Sequence, residues 1–137
     1  MEALGRLFNV LASADDAYVN LRYASAVTFV ANQATPETLT LTEARDAAGT
    51  GAQVLATIDR YYSAATNGAT WTLRTQAVAS TIVTQADDIV AVHVAGVELS
   101  DGFTHLKLAG SGSGVIAAIT HDLLPQRDPA RLPAIGA

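Results

Sequence analysis

Thr38-Leu-Thr-Leu-Thr42 alternates without a break. Successive side chains of a β-strand point to opposite faces. The stretch therefore sets its threonines on one side and Leu39 and Leu41 on the other, as a half-buried strand does. The same period recurs along the chain. Ala26-Val-Thr-Phe-Val-Ala31 puts Val27 and Phe29 on one face. Trp71-Thr-Leu-Arg-Thr75 assigns Trp71 and Leu73 to the interior and Thr72 and Arg74 to solvent. Phe103-Thr-His-Leu-Lys-Leu108 and Val115-Ile-Ala-Ala-Ile-Thr120 read as two further strands. Ile89-Val-Ala-Val-His-Val94 is apolar on both faces, so it is expected at the centre of a sheet or covered on both sides.

Turn signals separate these runs: Ala48-Gly-Thr-Gly51, Thr66-Asn-Gly68, Asp101-Gly102 and Gly110-Ser-Gly-Ser-Gly114. Short strands with regularly spaced turns predict an all-β fold, a single antiparallel β-barrel or β-sandwich of about seven to nine strands. Glu43-Ala-Arg-Asp-Ala-Ala48 either continues a strand or forms one helical turn, and Val97–Gly102 reads as a bend feeding the strand at Phe103.

The chain of 137 residues fits one domain. Half of it is hydrophobic, but much of that share is alanine and only 6% is aromatic, which predicts a thin core and apolar surface reserved for contacts between subunits. There is no cysteine, which excludes disulfides and thiolate metal sites. The formal charge is −5, and Arg22, Arg45, Arg60 and Arg74 are dispersed. Without a basic stripe, nucleic acid is not the expected partner. No run approaches the roughly 20 apolar residues of a membrane span, and Glu2 and Arg6 interrupt the N-terminal apolar run, against a signal peptide.

Both ends differ from the middle. Leu4, Leu7, Phe8 and Leu11 fall on one helical face, broken by Gly5, which marks residues 1–16 as an N-terminal arm ahead of a β domain over 17–123. Residues 124–137 form a tail in which Pro125, Pro129 and Pro133 recur at four-residue spacing. Each proline fixes φ, removes a donor and holds the preceding residue extended. Ordering such a tail costs roughly 1–2 kcal/mol per residue, whereas burying Leu124, Leu132 and Ile135 returns roughly 1.5–3 kcal/mol each. It orders only with added backbone hydrogen bonds or on a larger docking surface, to which Arg127 and Arg131 add charge-assisted contacts with carboxylates. A flexible tail is the alternative.

Signals for chemistry are weak. His93, His105 and His121 lie in or beside strands, and His105 and His121 are placed to face each other across a hairpin with its tip at Gly110–Gly114. Their spacing contains no local ligand pair, so a zinc site is not expected. Asp15-Asp16 and Asp87-Asp88 are adjacent residues and point apart on a strand. Gly110–Gly114 lacks the following helix that a phosphate-cradling loop requires. No Gly-x-Ser-x-Gly elbow occurs. Trp71 and Tyr61-Tyr62 are read as core and interface anchors, with a carbohydrate platform as the alternative. No catalytic residue, cofactor or metal is expected, and the chain is read as a non-enzyme.

Glu43-Ala-Arg-Asp-Ala-Ala-Gly-Thr-Gly-Ala-Gln53, Asp59-Arg-Tyr-Tyr62, Leu99-Ser-Asp-Gly-Phe103 and Ile119-Thr-His-Asp-Leu123 with its proline-spaced tail carry a resemblance. From about residue 17 to the end the chain resembles small structural proteins from the head-gene region of tailed bacteriophages, especially those of actinobacteria: minor capsid, or decoration (cement), proteins. The resemblance implies a β-barrel or β-sandwich on the outside of an expanded capsid, reinforcing capsomer junctions, commonly as a trimer. Its implied partners are the major capsid protein and copies of itself, with neither nucleic acid nor membrane. It would be made in the host bacterial cytoplasm and reside on the virion surface. Leu4, Leu7, Phe8, Leu124, Pro125, Arg127, Pro129, Arg131, Leu132, Pro133 and Ile135 are the expected partner-binding residues. A tail or head–tail connector component, or a carbohydrate-binding β-sandwich module, are the alternatives.

Overall fold

A computed structural model describes residues 9–12, 14–33, 35–65, 70–84, 88–110, 112 and 114–121. Within it eleven strands run in chain order: β1 (Val10–Leu11), β2 (Val19–Asn20), β3 (Ala26–Gln33), β4 (Thr38–Ala44), β5 (Gln53–Val54), β6 (Ile58–Ala65), β7 (Thr72–Ala79), β8 (Thr81–Val83), β9 (Asp88–Ala95), β10 (His105–Gly110) and β11 (Val115–His121). A single 3-10 turn, Gly96–Glu98, leaves β9 where the bend was expected. Four of the strands have two or three residues. These are too short for a period to declare itself in sequence, which is why the count exceeds the expectation.

The strands form two antiparallel sheets, one in the order β1-β11-β3-β9-β6-β7 and one in the order β2-β10-β4-β5, with β8 also paired to β4. The described strands close no barrel. The architecture is the sandwich of the two alternatives, its core lying between the inner faces. One sheet contributes Val27, Phe29, Val90, Val92, Val94 and Ile116, and the other Leu39, Leu41, Ile82, Leu106 and Leu108, all buried. Ala31 and Ala118 are buried among them, and Phe29 is the core's one fully buried aromatic. The thin, alanine-bearing core follows from the composition.

The chain changes sheet at almost every connection. Among the described strands only β4–β5 and β6–β7 are consecutive and paired with each other. The connection from β10 to β11 passes from one sheet to the other, so Gly110–Gly114 is a crossover rather than a hairpin tip, and His105 and His121 do not face each other. Strand period fixes which side chains turn inward but carries no information on which sheet receives the next strand. Hence the local reading failed there.

Other expectations fare differently. β9 is central, between β3 and β6. β7 contradicts its pattern: Trp71 and Leu73 are about half exposed, not interior. It is an edge strand paired to β6 alone among the described residues, exposed along most of its length, with Gln76 reaching the Thr81 carbonyl of β8. Within the segment 1–16, Val10 and Leu11 pair with Ile119 and Ala118 of β11, Leu11 packs against the core, and Ala14 is buried. Leu4, Leu7 and Phe8, and all the tail residues from Leu124 to Ile135, lie outside the described residues, as do Thr66-Asn-Gly68 and Asp87. Among the described residues no helix is long and apolar enough to cross a membrane.

Candidate functional site

Among the described residues, the outer face of the six-stranded sheet carries a broad set of partly exposed side chains. Register fixes its membership. On β11 it holds Val115, Ala117, Ile119 and His121. On β3 these are followed by Thr28, Val30 and Asn32, and on β9 by Ile89, Ala91 and His93. Tyr62 of β6 stands opposite Ala91, and Leu73 of β7 opposite Tyr62. Val10 extends the row past Ile119 at the other edge. Val10, Tyr62, Trp71, Leu73 and Val115 are each about half exposed or more, and the aliphatic residues between them are only partly covered. Contiguous exposed apolar patches commonly mark interaction sites.

The polar side chains of this face gather toward one end. Thr28 Oγ1 lies 3.2 Å from His93 Nδ1 and 2.7 Å from His121 Nε2, and the two rings are 5.3 Å apart, tilted by 51°. The single hydroxyl proton can serve only one of the two imidazoles, so at least one ring donates to the Thr28 oxygen. The sequence separated these histidines by spacing, and only strand pairing brings them together: Thr28 is opposite both His93 and Ile119, two residues from His121. His105 stands apart, buried, with Nδ1 2.8 Å from Thr104 Oγ1. Among the described residues no three His, Asp, Glu or Cys side chains converge in a way that could hold a metal ion.

The outer face of the five-stranded sheet is different in kind. Its central row presents Thr38, Thr40 and Thr42, with Lys107 opposite Thr42. Lys107 Nζ lies 2.8 Å from Asp16 Oδ1 and 4.7 Å from the centre of the Tyr18 ring. The hydrogen bond and charge of Lys107 hold the Asp16 carboxyl below its ordinary value, and Asp16 holds the ammonium above its own. The two carboxylates Asp15 and Asp16 are therefore a turn and an ion pair, and Asp16 occupies the left-handed region at φ 56°.

Two buried carboxylates escaped the sequence reading. Glu43 is completely buried, its oxygens accepting from Gln53 Nε2 at 2.6 Å and from the Ser100 amide at 2.8 Å. The signal was present: the alternation that turns Leu39 and Leu41 inward also turns Glu43 inward. Its two donors tie β5 and the turn after the 3-10 segment to β4. Glu37 is the second. The Gly112 amide donates to its Oε2, the backbone of Glu37 is paired with Thr84, and Oε1 is buried without a partner among the described residues. A Cβ at Gly110 or Gly112 would collide with this carboxylate, and one at Gly114 with the buried Gln33 amide. The glycine-rich loop thus closes over a carboxylate of its own chain. A fixed carboxylate at that place opposes the binding of a phosphate.

Two depressions open on the apolar face. One of about 490 Å3 runs beside β6 and is lined by Asp59, Arg60, Tyr62, His93, Val97 and Glu98, among others. The second, about 300 Å3, is lined by Tyr62, Trp71 and Ala91. Tyr62 joins them. No family model, curated protein or solved structure matches this chain. The functional reading therefore rests on the residues themselves.

Proposed function

We propose that the chain is a structural virion protein, a decoration protein that binds the outside of a phage capsid and reinforces the junctions between capsomers, as a trimer. The observation that carries this reading is the open apolar face of the six-stranded sheet. A continuous row of Ala117, Val30, Ala91, Tyr62 and Leu73 crosses five of its strands. The resemblance of Glu43–Gln53, Asp59–Tyr62, Leu99–Phe103 and Ile119–Leu123 to capsid decoration proteins supplies the kind of partner.

The physics of such a role is linkage. A protein that binds only the mature shell stabilises that shell by mass action, and repetition over lattice sites multiplies modest contacts. The test is co-sedimentation of the purified protein with particles of the phage whose genome encodes it, alongside sedimentation equilibrium of the protein alone. Threefold stoichiometry on the shell supports the reading. Protein found only in tails, or a coding genome without capsid genes, overturns it.

A second reading has one observation in its favour. Tyr62 and Trp71 are both about half exposed and line the same depression, which is the arrangement of a carbohydrate platform. Binding of glycans that is abolished by Trp71→Ala, with capsid binding unchanged, would favour it over the first.

A further inference from the structure

His93 and His121 sit on strands that are not neighbours. β3 runs between β9 and β11, with Thr28 opposite His93 and Ala26, two residues away on the same face, opposite His121. Both histidines lean over β3. His93 brings Nδ1 to 3.2 Å from the Thr28 hydroxyl oxygen, and His121 brings Nε2 to 2.7 Å. The rings, 5.3 Å apart, thus aim one nitrogen each at a single atom. His93 is exposed, and Thr28 and His121 are half-buried, so the point of convergence is reachable from solvent.

The hydroxyl serves this pair incompletely. It has one proton for two ring nitrogens, whereas a metal cation accepts a lone pair from each. Imidazole nitrogen binds such cations at about 2.0–2.1 Å. Nitrogens already aimed at one atom reach that distance by rotation about χ2, a torsion with broad minima in histidine, and by a turn of the Thr28 side chain. The backbone beneath can stay in place, because β3 pairs in unbroken register with β11 and β9 along this stretch. Sites carried on strands are more precise than sites on loops.

The neighbouring carboxylates are already engaged. Asp59 and Glu98 line the depression beside His93, but Glu98 Oε2 accepts from the Ala95 amide at 2.8 Å and Asp59 lies 3.5 Å from Arg60. The donor set is therefore two imidazoles, with water in the remaining positions. That set selects among cations: imidazole suits zinc, nickel and copper, while magnesium and calcium take oxygen.

We propose that His93 and His121 form a two-histidine site for zinc(II), nickel(II) or copper(II) on the outer face of the six-stranded sheet. His93 ligates through Nδ1 and His121 through Nε2, and each ring carries its proton on the far nitrogen. His105 takes no part, being buried in the other sheet. The site belongs to the isolated protein and does not depend on the capsid reading.

The test titrates Zn2+ into the untagged full chain in a non-coordinating buffer, followed by calorimetry and by NMR of the histidine rings. The resonances of His93 and His121 should shift together and saturate at one cation per chain. Those of His105 should stay, and Mg2+ at the same concentration should move none. His93→Gln and His121→Gln should each weaken Zn2+ binding at least about tenfold, with amide spectra reporting that the sheets are intact. No saturable shift at the two rings overturns the proposal, and the parent chain alone decides that. Unchanged Zn2+ affinity in either variant overturns it too, because an adventitious ion held by other groups would then be the one observed.

Discussion

The two outer faces of the sandwich are built on strands of the same period, yet the central row of one is aliphatic and that of the other is threonine and charge. On the five-stranded sheet the row Thr38, Thr40, Thr42 and Lys107 has alternation with a solvated side. On the six-stranded sheet the corresponding outward positions are Val30, Ile89, Ala91, Ala117 and Ile119. Hydroxyls and ammonium groups satisfy their hydrogen bonds in water, whereas aliphatic side chains gain only by leaving it. The difference teaches that water suits one face by itself, and it is the reason the proposed assembly is placed on the other.

Mutations can break this comparison, beginning with the interior both faces share. Phe29→Ala should lose about 3–5 kcal/mol in urea unfolding, as expected for truncating a buried aromatic. A loss near zero would mean that the core is elsewhere. Glu43→Ala removes the acceptor of Gln53 Nε2 and the Ser100 amide and should lose about 1–3 kcal/mol. Glu43→Gln should recover part of it, because one oxygen still accepts.

On the apolar face, Val115→Asp should change the stability of the isolated molecule by no more than about 0.5 kcal/mol, the usual range for a surface site. It should nevertheless remove assembly. The smallest effect sharpens the other face. Asp16 is lowered from its ordinary value of 3.8, so its ion pair contributes fully above that value and is lost as pH falls through the folded one. Asp16→Asn should therefore lower stability slightly at neutral pH, where the exposed pair contributes, and flatten the acid limb of the stability profile below about pH 4. An equally steep limb in the variant would show that the pair is not formed.

Much of this architecture could be read from periodicity alone. β3 and β4 carry the inward residues the alternation assigns, β11 is a strand where one was read, and the central place of β9 follows from apolarity on both sides. Trp71 and Leu73 were misplaced because an edge strand exposed along most of its length shows the same alternation as a half-buried one. The contacts among Thr28, His93 and His121, and the closure of Gly112 over Glu37, were illegible for a further reason. They join residues far apart in sequence through strand pairing and sheet crossing, to which local pattern is blind. Glu43 was legible in principle, as a charge placed on the leucine side of its strand.

The most direct test uses a matched pair. Val115 on the apolar face and Val83 on the five-stranded face are 59% and 61% exposed. Val115→Asp and Val83→Asp, each in the full chain, are to be compared with the parent by co-sedimentation on the encoding phage's particles. The account predicts that Val115→Asp stays in the supernatant while Val83→Asp sediments like the parent. Equal binding of the two, or loss confined to Val83→Asp, would contradict it.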